Sequence, residues 1–287
     1  MKIVTDCAAY MLAAELEAFG ITQVPLYIRF PEGEVSAPQI DADDFYNRLE
    51  AMRPAIPSTA QPSSGLFESL YRELALTGEE IMSIHISSGL SGTINSARTG
   101  AQLAAPQAKV TTWDTLTLSG GERFQVLAAA LGDKAGWTMQ AIQERMTTIR
   151  EQTELAYALE TLEYLERGGR IGRVQALMGS LLKLKPVISV EHADGKYNTL
   201  AKCRTIPQAL KIITEHFVHT YQNTPLWMTV FHGRFLEGAE TLAKELGEKL
   251  NIAKLEMTRI SPVLGVHTGP GTVGAVAVPM KLMEDLL

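Results

Sequence analysis

Apolar and polar positions along the 287-residue chain alternate in short runs, separated by longer stretches of helical spacing. Lys2 to Thr5 reads as a buried strand ending in Asp6-Cys7. Residues 10–19 read as a helix and Gln23 to Phe30 as a second strand, followed by a polar hairpin around Pro31-Glu32-Gly33-Glu34. A helix is predicted from Asp41-Ala42-Asp43-Asp44 to about Met52, because acidic residues in a first turn oppose the helix dipole. Pro57 to Ser63 reads as a loop pinned by two prolines, and Ser63 to about Ala75 as a helix. Glu80 to Ile84 alternates as a half-buried strand does. The next helix, Ile94 to Leu103, carries Ile94, Ala97, Ala101 and Ala104 on one side. Lys109 to Asp114 is a further strand, with helices at about 119–132 and 138–151. Such alternation predicts an α/β domain with a largely parallel sheet. Ligands in such sheets bind beyond the carboxyl ends of the strands, where Asp6, Ser87 to Thr93 and Asp114 all fall.

From about residue 152 the pattern changes. Leu155 to Leu159 reads as a strand and Thr161 to Glu166 as a short helix, followed by the arginine- and glycine-rich run Arg167 to Arg173. A helix is expected to about Leu182, then strand 185–190, an Asp194-Gly195 turn and a returning strand to Arg204. Helix 205–218, strand 226–231, helix 235–250 and strands near 254–260 and 273–278 complete the chain. The expectation is therefore two α/β units, 1–151 with a largely parallel sheet and 152–287 with a mixed or antiparallel one.

The stretch Ser87-Ser88-Gly89-Leu90-Ser91-Gly92-Thr93 joins a strand to a helix. It gathers four hydroxyls and two glycines where backbone N–H groups lack helical partners. Such a turn accepts a carboxylate or phosphate; its plainer reading is a Ser/Thr helix cap. Apolar residues make up 46% and the formal net charge is −6, which excludes a disordered chain and argues against a general nucleic-acid binder. Charge is uneven, however. Residues 167–204 hold Arg167, Arg170, Arg173, Lys183, Lys185, Lys196, Lys202 and Arg204 against only Glu191 and Asp194, a patch suited to an acidic partner or to a solvated face. Cys7 and Cys203 form no paired motif, no signal-peptide core follows Met1, and no apolar run reaches membrane-spanning length. A cytoplasmic protein making at most transient membrane contact is expected.

Three motifs point elsewhere. Gly269 to Gly274 has dinucleotide-loop spacing, but a strand-like Ala275 to Val278 follows it and no acidic residue comes later at the required distance. Gly89 to Thr93 resembles a nucleophile elbow with Thr93 in place of the second glycine. Ser91, Asp114 and His267 run in Ser-Asp-His order, so a serine hydrolase is the alternative reading. The six histidines show no metal spacing; His216 and His219, three apart on a helix, lack acidic or cysteine companions in sequence and read as surface residues.

Val4-Thr5-Asp6, Val24-Pro25-Leu26, Thr59-Ala60-Gln61-Pro62-Ser63, Ile84 to Thr93, Gly168 to Ile171, Leu181 to Pro186, Lys202 to Thr205 and His267 to Gly271 resemble motifs of the bacterial DegV family, in family order. The resemblance implies two domains holding one long-chain fatty acid in a tunnel between them. It also implies no catalysis by the protein itself and no cofactor; some members carry the lipid for a separate fatty acid kinase that makes an acyl-phosphate for phospholipid synthesis. By that similarity Thr59 and Ser91 hold the carboxyl group with His267 beside them, in a turn that includes Ser87, Ser88 and Gly92. Arg170 and Arg204 match arginines associated with the kinase and phosphoryl transfer. Cys7 and Ala60 depart from the family pattern, each removing a hydroxyl. Leu116, Leu118, Leu177, Met178, Leu181 and Leu182 are the candidates for an apolar lining, or plain core residues.

Overall fold

The computed structural model describes residues 1–177 and 184–284. In chain order the first half runs β1 (Lys2–Asp6), α1 (Ala13–Phe19), β2 (Thr22–Val24), β3 (Tyr27–Phe30), β4 (Gly33–Ser36) and α2 (Ala42–Ala51). It continues β5 (Ser58–Ala60), α3 (Ser64–Leu74), β6 (Ile81–His85), α4 (Thr93–Ala104), β7 (Val110–Asp114), α5 (Gly120–Lys134) and α6 (Met139–Gln152). The second half runs β8 (Glu154–Ala158), α7 (Glu163–Arg167), β9 (Lys185–Val190), β10 (Tyr197–Cys203), α8 (Ile206–Tyr221) and β11 (Leu226–His232). Then come α9 (Leu236–Lys249), β12 (Ile252–Arg259), α10 (Pro262–Thr268) and β13 (Val273–Pro279).

Three sheets result. Strands β2-β1-β6-β7 make a wholly parallel sheet. The order β10-β9-β8-β13-β11-β12 makes a mixed sheet in which only β11 and β12 run parallel. A small antiparallel ribbon, β4-β3-β5, completes the set. The protein is thus mixed α/β, as the alternating pattern implied.

Local chemistry places the helices. The Asp41 carboxylate accepts the Asp43 and Asp44 N–H groups at 2.8 and 3.1 Å, and Ser63, Thr138 and Thr205 cap α3, α6 and α8 in the same manner. The central helix is α5, buried from Gly120 to Gly132 and packed against β1 and β6 on one side and β13 on the other. A helix apolar nearly all round belongs inside a core. Its polar residues are mostly engaged: Gln125 accepts from Trp113 and donates to the Thr115 carbonyl, and Arg123 binds Glu15 and Glu256 from opposite halves of the chain. Glu122 has one oxygen without a partner. Burial and the neighbouring Asp6 carboxylate push its pKa well above the usual range.

Several sequence expectations are corrected. Pro25, which cannot donate to a ladder, interrupts the expected strand 23–30, so β2 and β3 belong to different sheets. The helix at 10–19 starts only at Ala13, after a 3-10 turn at Cys7–Ala9 and a left-handed Tyr10. The loop 57–63 contains β5, paired with β3. A 3-10 helix, Gly172–Leu177, stands where the helix to Leu182 was expected to begin; Met178, Leu181, Leu182 and Lys183 lie outside the described residues. The short helix α10 has no counterpart among the expectations. Pro262 at its start and Ser261 before it are the start signals that were present.

Folding raises the Glu122 pKa, so the native state holds a proton that the unfolded chain gives up above about pH 4.5. Stability on this account is fully present at low pH and declines as pH rises toward the native pKa. Glu122→Gln should therefore raise the melting temperature at about pH 8 and leave it nearly unchanged at about pH 4, as differential scanning fluorimetry will show.

Candidate functional site

The strand-to-helix turn of residues 86–92 is held from below by two carboxylates on the strands flanking β6. Asp6 at the end of β1 accepts the Ile86 N–H at 3.1 Å and the His85 ring at 3.0 Å. Asp114 at the end of β7 accepts the Ser88 N–H at 3.1 Å and the Leu116 N–H at 3.2 Å. The far side of the His85 ring meets Ser83 Oγ, which meets the Tyr71 hydroxyl, each at 2.7 Å; His85 is a satisfied core residue. Beyond the turn, α4 begins at Thr93 with Gly92 in the cap position. Ser91 Oγ lies 2.8 Å from Thr93 Oγ1 and accepts the Thr93 N–H at 3.3 Å, so the hydroxyl stands at the helix entrance.

Thr59 reaches the site from β5. Its Oγ1 lies 2.8 Å from Nε2 of His267, a buried residue in the last turn of α10. Two residues along, Gln61 lies over Gly92, where an added methyl would meet the Gln61 amide at 2.3 Å, and its Nε2 donates to Ser96 Oγ. The ribbon is thereby seated on the start of α4. His267 Nδ1 has no partner and faces Gly168, where a Cβ would lie 2.3 Å from that nitrogen. A buried lone pair costs less than a buried unpaired N–H, which favours the Nε2–H tautomer donating to Thr59. The Thr59 hydroxyl proton then remains for another acceptor. Burial, reinforced by the Arg170 guanidinium, lowers the His267 pKa to about 3, so the ring is neutral.

A narrow cavity is lined by Leu118, Leu155, Tyr157, Phe231 and Ile260, with Leu264 and Thr268 from the His267 helix. It encloses only about 20 Å³. Of the expected lining residues, Leu118 takes part. Leu116 has a left-handed backbone and stands against Gly195, and Leu177 is buried in its 3-10 turn.

Ser87 and Ser88 are used differently from Thr59 and Ser91. Ser87 is buried, donates to the Gly195 carbonyl at 2.8 Å and accepts the Gly89 N–H at 3.0 Å. A Cβ at Gly195 would lie 1.9 Å from that Oγ, and Gly195 takes φ +63°, so the β9–β10 turn fits the loop only as glycine. Ser88 is exposed and engages through its backbone N–H. Arg170 Nη1 donates to the Gly168 carbonyl at 2.8 Å and so braces the glycine turn behind His267. Arg204, at the end of β10, is exposed, and its backbone N–H bonds Gln208.

The hydrolase alternative fails on geometry. His267 Nε2 bonds Thr59 and its Nδ1 bonds nothing, while Asp114 is occupied by backbone N–H groups of the loop and Ser91 by Thr93. No relay joins the three. Gly269 to Gly274 opens into β13, with no helix after it to bind a dinucleotide. His216 has a companion after all, the Glu154 carboxylate 3.1 Å from its ring and far off in sequence. Among the described residues no group of three or more His, Cys, Asp or Glu is arranged to hold a metal.

Gly168, Gly195 and Gln61 stand in motifs and turns visible in the sequence, but their contacts at the site are not visible there. The glycines sit in recognisable turns, but nothing local reveals which side chain each turn must clear.

The mixed α/β fold recurs among known proteins. The model of the DegV family, whose members are described as uncharacterised proteins, matches residues 1–280, and the chain belongs to that family. A DegV domain-containing protein of Deinococcus radiodurans is 35% identical over 256 residues, covering 89% of this chain and 88% of the relative. One of Streptomyces coelicolor is 34% identical, over 96% and 97% respectively. Among solved structures, a DegV family protein from Thermus thermophilus described as binding fatty acid superposes with TM-score 0.89 at 28% identity, covering 97% of this chain and 99% of that one. DegV from Bacillus subtilis, described as a fatty acid binding protein, gives 0.87 at 27% identity over 96% and 98%.

Two outcomes follow from the His267 environment. The unfolded chain takes up a proton near pH 6.5 that the native ring refuses until about 3, so stability falls as pH drops through that window, by at most ~1.4 kcal/mol per pH unit. Melting curves of His267→Asn should show a shallower decline than wild type between pH 6.5 and about 4. Gly168→Ala forces a methyl against the ring and should destabilise by about 1–3 kcal/mol in urea titration, an overpacking cost.

Proposed function

We propose that this chain binds one long-chain fatty acid, its carboxyl group at Thr59, Ser91 and His267 and its hydrocarbon in the apolar cavity. The observation that carries this is the Thr59–His267 pair, 2.8 Å apart, whose histidine rides on the short helix that also lends Leu264 and Thr268 to that cavity. Neutral hydroxyls and a neutral imidazole suit a carboxyl group entering from an apolar side. The Thermus and Bacillus relatives, each described as binding fatty acid, support the reading. Each buried methylene contributes about 0.8 kcal/mol, so a chain of about 14 gains ~11 kcal/mol before ordering costs. Part of that gain goes into parting the side chains around a cavity of about 20 Å³.

The protein performs no catalysis on this reading and needs no cofactor. It works in the cytoplasm, holding its lipid between units 1–151 and 152–287 and presenting the carboxyl group to a separate fatty acid kinase. Arg170 and Arg204 serve that later step. Ser87 and Gly92 shape the head-group turn, and Ser88 lies at its exposed rim. No described helix is long and apolar enough to cross a membrane, so delivery requires no insertion of that kind.

Lipid extracted from the purified protein and weighed by mass spectrometry should contain about one fatty acid per chain. Ser91→Ala should lower that content with the melting temperature of the lipid-free form little changed, and Thr59→Ser, which keeps the partner of the buried His267 ring, should retain more lipid than Thr59→Val, which also loses stability. Arg204→Ala should keep the lipid and lose kinase-dependent acyl-phosphate formation. Arg170→Ala should do the same while also lowering the melting temperature, because it braces the Gly168 turn. A wild type that carries no fatty acid, or Ser91 labelled by a fluorophosphonate with ester turnover, would overturn the reading.

A further inference from the structure

The six-stranded mixed sheet ends on β12, eight residues without proline. Natural proteins blunt such edges by brevity, bulges, proline or guarding charges, because an open edge is a template for another strand. The opposite edge, β10, is blunted by an irregularity between Thr199 and Ala201, and the edge strand β2 has only three residues. In β12 the pairing irregularity falls at its start, beside Ala253, and from Lys254 to Arg259 the register with β11 is unbroken. On the face it shares with Met228 and Val230, β12 exposes Leu255 by 46% and Met257 by 41%. Those are two of the six large apolar residues exposed among the described ones, on one strand and one face. On the other face Lys254 and Glu256 alternate, their side chains 42% and 24% exposed, with Nζ 3.3 Å from Oε1.

We propose that β12 pairs antiparallel with β12 of a second copy of this chain, about a two-fold axis through Leu255, joining the two six-stranded sheets. A two-fold strand pair is self-complementary: residues equally spaced from the axis face one another. With Leu255 on the axis, Lys254 of each copy stands opposite Glu256 of the other, Met257 opposite Ala253, and Leu255 opposite itself. A register centred on Glu256 sets two carboxylates face to face, and one centred on Lys254 sets two ammonium groups face to face. Opposite charges directly across a ladder stabilise and like charges destabilise; the Leu255 register sets lysine against glutamate twice, whereas one centred on Met257 pairs no opposite charges. The same pairing covers the exposed Leu255 and Met257. The Thr59–His267 site lies on other elements and takes no part.

Sedimentation velocity of the wild-type protein across the micromolar range tests the pairing. A concentration-dependent dimer is expected. Leu255→Lys and Leu255→Glu each place like charges on the axis and should weaken the dimer by about a hundredfold or more. Mixing the two variants in equal amounts should restore it, because opposite charges then meet. Lys254→Glu, which opposes Glu256 with a second carboxylate, should also give a monomer, with melting temperature unchanged within a few degrees. A wild type that stays monomeric throughout overturns the proposal. So does a dimer that survives both Leu255 variants, or a mixture that fails to recover it.

Discussion

Everything in this molecule leans on α5. A helix buried from Gly120 to Gly132 has no solvent face to relax into, so the sheets on its two sides must both conform to it. Gly120 shows how closely: a methyl there would sit 2.3 Å from Val276 of the mixed sheet. Arg123, one turn into the helix, takes a carboxylate from each half of the chain, Glu15 and Glu256. Paired at both ends, that guanidinium avoids the large cost of an isolated buried charge and fixes the two halves relative to each other. The preceding residue, Glu122, turns instead toward Thr5 and Asp6 of β1, with one oxygen unpartnered and its carboxyl pKa raised by burial.

The candidate site follows from that constraint, because its parts come from different layers. The turn after β6 hangs from Asp6 and Asp114, the threonine arrives on a ribbon, and the histidine rides on a helix between the last two strands of the mixed sheet. Each arrives with its hydrogen bonds largely committed to neighbours in the protein. Ser87 is the clearest instance: its hydroxyl ties the loop to the β9–β10 turn, so the two halves meet at the turn after β6 as well as through α5.

Strands, most helices and the turn at 86–92 were legible in the sequence, because each is written locally: period-two alternation, caps such as Asp41 and Ser63, prolines at boundaries. The parallel sheet followed from alternation of element types. What stayed illegible is contact across the chain. Ser87 and Thr59 look alike as hydroxyls in loops, yet one is spent on Gly195 and the other stands beside His267, some two hundred residues away, at |i−j| = 208. β5 is too short for periodicity to reveal, and α10 is short and buried nearly all round with a glycine inside it, which hides helical phase. The Ser-Asp-His order that suggested a hydrolase is a statement about sequence, and space does not honour it.

The ribbon carries a parity. Thr59 is the middle residue of a three-residue strand, paired with Ile28 across the ladder, and residues on a strand point alternately to opposite faces. A slip of one position would replace the threonine beside His267 with Ser58 or Ala60 and turn Thr59 away. An insertion or deletion of any length between Pro54 and Ser58 therefore threatens the site if the ladder follows it, whereas the small residue at Ala60 costs the histidine nothing, because position 60 faces the other side of the ribbon. Length, not only identity, is what this segment has to keep.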